Sequence, residues 1–230
     1  MKNCNAPKNE TPTRIPLTAW ATALAAVFAV ALPLPAYADD VKPPPTPANI
    51  TVKAGNEPFL VGHAAGTQNY VCLPSGNGVA FVLFTPEATL FSDEGKQLIT
   101  HFFGPNPEET NTNPAVVATG TIRAAWQHSR DSSAVWGQVK PGNSSTDSAF
   151  VAPNAIAWLL VTAVGNQTGP TGGDTLAKTT FIQRLNTAGG VAPSTGCASS
   201  ADIGRLAFVP YTADYFFYKA TEHADQGDYD

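Results

Sequence analysis

The sequence predicts an all-β fold, a single-domain β-sandwich or barrel with long loops and one disulfide. Three observations carry that reading. From Phe59 onward the chain is a series of short apolar or alternating runs broken by Gly, Pro, Asn, Asp and Ser. No stretch sustains an i, i+3, i+4 apolar pattern over three helical turns. Turn chemistry recurs between the runs at the spacing expected of strands joined by tight connections.

Eight runs read as strands: 68–73, 79–85, 96–103, 120–127, 134–140, 156–164, 178–187 and 205–218. SGNG at 75–78 separates the first two, and SDEG at 92–95 separates the second from the third. GNQTGPTGGDT at 165–175 precedes the seventh, and Pro210 is expected to break the eighth. VAFVLF at 79–84 and AIAWLLV at 155–161 are apolar at every position, so both faces of each should be covered. A closed barrel with an overlying arm provides such cover, as does a sandwich with a covering loop.

The ends of the chain read differently. Lys2, Lys8 and Arg14 precede an Ala/Leu/Val-rich run from Leu17 to Leu34, and AYA precedes Asp39. This is the anatomy of a signal peptide over 1–38, with Pro33 and Pro35 arguing against a membrane anchor. Its removal takes Lys2, Lys8, Arg14 and Glu10 from the 13 Lys+Arg and 18 Asp+Glu, and leaves 192 residues with a net charge of −7. The product is expected to be secreted or periplasmic. A chain of that size buries one good core. Its acidity and lack of a basic cluster argue against nucleic acid as a partner. Residues 39–57 read as a Pro-rich extended arm, poorly ordered, 58–219 as the β domain, and 220–230 as an acidic disordered tail.

Cleavage would also remove Cys4, leaving Cys72 and Cys197. An even pair in an oxidising compartment predicts a disulfide. A strand-like setting offers neither the His nor the helix N-terminus that activates a thiol, and two thiols without CxxC or HxH spacing make a poor zinc site. No metal site is expected, and no cofactor, since no dinucleotide-binding loop, P-loop, HExxH or G-x-S-x-G is present.

Candidate ligand-binding residues come from two segments and one histidine. In TTFIQRLNTAGG, alternation sets Phe181, Gln183 and Leu185 on one side and Ile182 and Arg184 on the other. Gln183 and Arg184 then read as a buried polar brace or a recognition pair, with Asp214 a candidate partner for Arg184. In TIRAAWQHSRDSSAVWGQV, a hairpin about Asp131 pairs Trp126 with Trp136, either as core or as a stacking platform, with His128, Arg130 and Asp131 at its turn. His101 in QLITHFF shares a face with Ile99 and Phe103 and reads first as a satisfied interior group.

GTQNYVC, TPEATLF with DEGKQLITHFFGP, WQHSRDSSAVWG, IAWLLVTA, FIQRLNTAGGVAPSTGC and VPYTADYFFY, in this order, resemble the secreted domain-of-unknown-function family 3455 over 58–219. The resemblance implies one exported domain with cysteines at positions 72 and 197, and no established activity. The family's Trp after its Gly-Pro element is missing here, where NPEET follows Gly104 and Pro105. Function therefore reads as a non-enzymatic domain that binds a small molecule or associates with the envelope. The alternative is a periplasmic hydrolase or isomerase built from dispersed His101, His128, Asp131 and Arg184.

Overall fold

A computed structural model describes residues 41–113 and 120–221. The signal reading over 1–38 lies outside the described residues, as does the tail reading over 220–230 beyond Thr221; its first residue, Ala220, instead ends the last strand, and the Thr221 N–H donates to the Gly55 carbonyl at 2.9 Å. The eight strands are β1 (Asn56–Ser75), β2 (Gly78–Phe91), β3 (Gln97–Thr110), β4 (Gly120–His128), β5 (Ala134–Ser145), β6 (Trp158–Gln167), β7 (Thr179–Gly189) and β8 (Leu206–Ala220). Each pairs with the next in antiparallel fashion, and β1 pairs with β8, which closes a barrel. The sequence left sandwich and barrel open; the β1–β8 pairing decides for the barrel. Among the described residues no helix is long and apolar enough to cross a membrane.

Each expected run falls on one strand, but β1 starts twelve residues before its run, at Asn56 rather than residue 68. Gly62 and Gly66 hide the alternation there. Both face β2 so closely that a Cβ at Gly62 would lie 2.9 Å from Leu90 Cβ, and one at Gly66 would overlap the Glu87–Ala88 backbone. The residues that blur the pattern are those that let β1 approach β2 closely. Pro210 does not break β8, which runs unbroken past its pairing with Thr67. A strand residue points its N–H and C=O to the same side. For Pro210 that side faces the end of β7, where its carbonyl accepts the Gly190 N–H at 2.9 Å, so the missing donor costs no ladder bond.

Inside the barrel, Ala64, Leu90, Ile99, Trp126, Val135, Val161, Ile182, Tyr215 and Phe217 form the main core, drawn from all eight strands. A second cluster lies outside the wall. Trp158, Leu160, Leu185, Phe216 and Tyr218 pack under Ile50, Val41 and Val52 of the arm and Phe150 and Val151 of the β5–β6 loop. The all-apolar run 155–161 is thus covered on both faces, by the lumen and by the arm.

The arm is fastened rather than loosely ordered. Ile50 is fully buried, and Asn49 Nδ2 donates to the carbonyls of Gly142 and Ser144 at 2.8 and 2.9 Å. Gln183 Nε2 donates to the Ile50 carbonyl at 2.7 Å, and Tyr218 Oη donates to Gln183 Oε1. Gln183 is therefore a brace between arm and wall. Gln183→Ala is expected to leave two buried groups unpaired and to cost about 1–3 kcal/mol, with faster proteolytic cutting within 41–55. An unchanged cleavage rate at unchanged stability would show that the arm is held by other contacts.

The run 79–84 departs from expectation. Val82, Leu83 and Phe84 are exposed at 41, 44 and 54 %. The β2–β3 ladder is confined to Ala88–Phe91, so the upper half of β2 has only β1 as a neighbour. The β4–β5 ladder is likewise confined to Ala124–Gln127. Above these ladders β3 leans away from the lumen toward β6, where Asn106 Nδ2 donates to the Val164 carbonyl at 3.0 Å and Glu108 accepts the Asn166 N–H at 3.0 Å. The wall is thereby open on one side, between β2 and β5.

Candidate functional site: the barrel lumen

The opening leads into a cavity of about 230 Å³ to which every strand contributes a side chain. Gln68, Pro86, His101, Trp126, Arg184 and Tyr215 are among its lining, and Leu83 and Val139 stand exposed as well as lining it. Alternation along each strand produces this arrangement, because residues two apart share the inward face. Gly137 on β5 has no side chain toward the lumen; a Cβ there would meet Val161 and the Trp126 ring, so its absence makes room for the indole.

Three groups define the polar character. His101 stacks on Trp126 at 4.3 Å between ring centroids and 8° between planes, and meets Tyr215 at 5.3 Å. Its Nδ1–H donates to the Ala125 carbonyl at 2.8 Å, which leaves Nε2 as the acceptor nitrogen of a neutral ring. Burial drives the His101 pKa down to about 3; the Ala125 hydrogen bond opposes this and the charge of Arg184 adds to it. Arg184 is 9 % exposed and gives Nε and Nη2 to the Ala157 carbonyl at 3.2 and 2.8 Å. Tyr215 and Tyr211 share a hydroxyl–hydroxyl contact at 3.2 Å. Burial, then the Tyr215 neighbour, push the Tyr211 pKa far up, so the Tyr211 hydroxyl stays neutral.

A family model described as a protein of unknown function (DUF3455) matches residues 53–219. The chain belongs to that family. No curated protein and no solved structure matches it.

In this DUF3455 barrel the residues singled out from the sequence separate into distinct places. His101, Trp126 and Arg184 meet in the lumen. Gln183 lies outside the wall under the arm. Trp126 and Trp136 are not a cross-strand pair: Trp126 pairs with Val135, and Ala125 with Trp136. The register differs by one residue from the expected hairpin, which places the two indoles on opposite faces of the sheet. Trp136 packs outside with Ala125, Ala134, Phe102 and Val164. The two-indole platform does not exist, although one of its rings lines a concavity.

The turn explains the register. Asp131 Oδ1 accepts the Ser133 N–H at 2.9 Å and its hydroxyl at 2.7 Å, while Oδ2 accepts the Thr175 N–H and hydroxyl. Ser132 takes a positive φ of 61° to close the loop. Burial raises the Asp131 pKa, but the Thr175 and Ser133 hydrogen bonds together outweigh it and hold the carboxyl well below the usual carboxylate range. His128 Nδ1 adds a 2.9 Å contact to the same carboxylate. Asp131 and His128 therefore clamp the β4–β5 turn to the loop before β7, and Arg130 is exposed beside them. None of the three lines the lumen.

Asp214 is not the partner of Arg184. It lies outside the barrel, where it receives His63 Nδ1 at 2.6 Å and Asn186 Nδ2 at 2.7 Å. His63 Nε2 reaches Asp93 at 3.0 Å. The sequence shows no sign of this Asp–His–Asp chain, whose members come from β1, the β2–β3 turn and β8. Among the described residues no group of three His, Cys, Asp or Glu is placed to hold a metal ion.

Burial alone would lower the His63 pKa, but the two aspartates together raise it above the ordinary 6.5. A raised folded-state pKa gives stability that is fully present below 6.5 and lost as pH rises through the folded value. Unfolding titrations from about pH 5 to about pH 9 should show His63→Gln losing most against wild type at the acid end, and the difference shrinking toward the basic end. A constant difference across that range would show that the bridge works as a neutral hydrogen bond.

Proposed function

We propose that this DUF3455 protein is an exported, non-enzymatic binding protein that holds a small molecule in its barrel lumen. One observation carries the reading: a largely apolar cavity lined from all eight strands, open to solvent between β2 and β5. Eight strands give an interior on the scale of one small ligand. At about 230 Å³ it exceeds the ~150 Å³ apolar cavity that accepts a benzene-sized guest, so the ligand is a single-ring or short-chain molecule.

Binding is favoured over hydrolysis or isomerisation by the lining itself. His101 and Arg184 share the cavity, but His128 and Asp131 are at the far turn, and the lining contains no carboxylate, hydroxymethyl or thiol group. His101, neutral down to about pH 3, is a weak base, and a carbonyl rather than a carboxylate orients it. Export rests on the N-terminal pattern and agrees with a Cys72–Cys197 bridge.

The test is a thermal-shift screen of single-ring and short-chain compounds against wild type and Ala124→Trp, whose new indole would occupy the cavity. Stabilisation in wild type that disappears in the variant is expected. Equal shifts in both proteins would place binding elsewhere. N-terminal sequencing of the exported product should begin at Asp39; an intact Met1 in the membrane fraction would overturn export.

A further inference from the structure

We infer that the lumen ligand is a monoanionic amphiphile, a carboxylate on an apolar body, whose carboxylate pairs with Arg184. This rests on the lumen-binding reading and narrows it to one chemical class.

The observation is an unbalanced charge. Arg184 is more than nine-tenths buried and lines the cavity, yet among the described residues no carboxylate lies within ion-pair distance of it. A guanidinium stays protonated at any physiological pH, so it cannot escape burial by losing its proton. Two of its nitrogens are occupied by a single carbonyl, Ala157, which brings no negative charge. Buried charges in proteins are ordinarily paired, and leaving one unpaired is costly.

The rest of the cavity matches an anion of one charge. Arg123, the second cation of the lining, is already neutralised: Nε and Nη2 make a bidentate pair with Glu109 at 2.8 and 2.7 Å. No acidic residue lines the cavity to repel an anion. The Trp126 indole N–H is a buried donor without a partner, and Gln68 lacks a partner for its amide oxygen, so the lining holds unused polar capacity beside Arg184. Apart from His101, Gln138 and Tyr215, the remaining lining is apolar. Phe103, Leu159 and Val161 are among this apolar lining, and Leu83 and Val139 both line the cavity and reach solvent at 44 and 38 % exposure. Charge inside and exposed hydrocarbon at the mouth is the layout for a ligand that enters with its polar head first.

The experiment compares octanoate with 1-octanol, which share chain length and differ in charge, by isothermal titration of the purified protein. Octanoate is expected to bind roughly 10- to 100-fold more tightly, the range of a charge-assisted hydrogen bond. Arg184→Met should remove that preference and leave 1-octanol unchanged, with near-ultraviolet circular dichroism checking the fold. Arg184→Lys, which keeps the charge without the planar fork, should retain part of it, and covers the case in which the Met variant does not fold. Equal affinity for the two probes in wild type would overturn the carboxylate inference and leave lumen binding standing. Binding of neither probe, with Ala124→Trp indistinguishable from wild type, would overturn both.

Discussion

Trp126→Ala is expected to lower the unfolding free energy by about 3–5 kcal/mol and to abolish lumen binding together. The indole is 1 % exposed and contacts lumen side chains on more than one side. One face stacks on His101, and an edge meets Tyr215 with centroids 5.9 Å apart. At Trp126 β4 is laddered to both β3 and β5, so the wall there cannot collapse into the space left behind, and the cost approaches the upper part of the range for aromatic truncation. Urea unfolding followed by circular dichroism measures it. Trp136→Ala, on the outer face, should leave ligand shifts intact, because that ring does not line the lumen. A loss below about 1 kcal/mol for Trp126→Ala, with binding intact, would remove the indole from both roles.

Replacing both Cys72 and Cys197 with alanine is expected to cost about 4–5 kcal/mol at most, without changing the fold or the cavity. The bridge joins β1 to the β7–β8 loop across a sequence separation of 125, with Cα atoms 5.5 Å apart. A loop of that length gives a large reduction in unfolded-chain entropy. In the folded state the same place is held independently. Cys72 N–H donates to the Arg205 carbonyl at 2.9 Å, and Gly204 N–H donates to the Cys72 carbonyl at 2.9 Å. The effect should therefore appear as a lower denaturant midpoint while the native circular dichroism spectrum stays the same. Loss of ligand shifts in a still-folded double variant would reopen a chemical role for the cysteines.

Much of the fold was legible because strands report themselves locally. Alternation in QLITHFF, unbroken apolarity in IAWLLV and turn residues at SGNG each reflect the environment of a few consecutive residues, and the structure places β3 and β6 at the first two and the β1–β2 turn at the third. Where local signals conflict with packing the reading failed. Residues 56–67 hid their strand behind Gly62 and Gly66, and Val82–Phe84 read as covered because composition cannot show that β3 leaves β2 above Ala88. The arm read as loose because a proline-rich segment has no period of its own; Ile50 is fixed by a groove made from β6, β7 and β8.

The sequence by itself determined an all-β chain, the order of its strands, the partnership of Cys72 with Cys197, the split of Gln183 and Arg184 onto opposite faces, and membership of DUF3455. These follow from side-chain period, cysteine number and motif order, which are properties of neighbouring residues or of counting. Tertiary structure alone decided closure into a barrel, the register of the β4–β5 hairpin, and which polar groups share the lumen. A one-residue shift, set by how Asp131 binds Ser133 and Thr175, sends Trp126 inward and Trp136 outward. Closure brings His101, Trp126, Arg184 and Tyr215 around one cavity although they come from four different strands. Contacts between residues far apart in sequence depend on how strands pair around the ring, and no local pattern encodes that pairing.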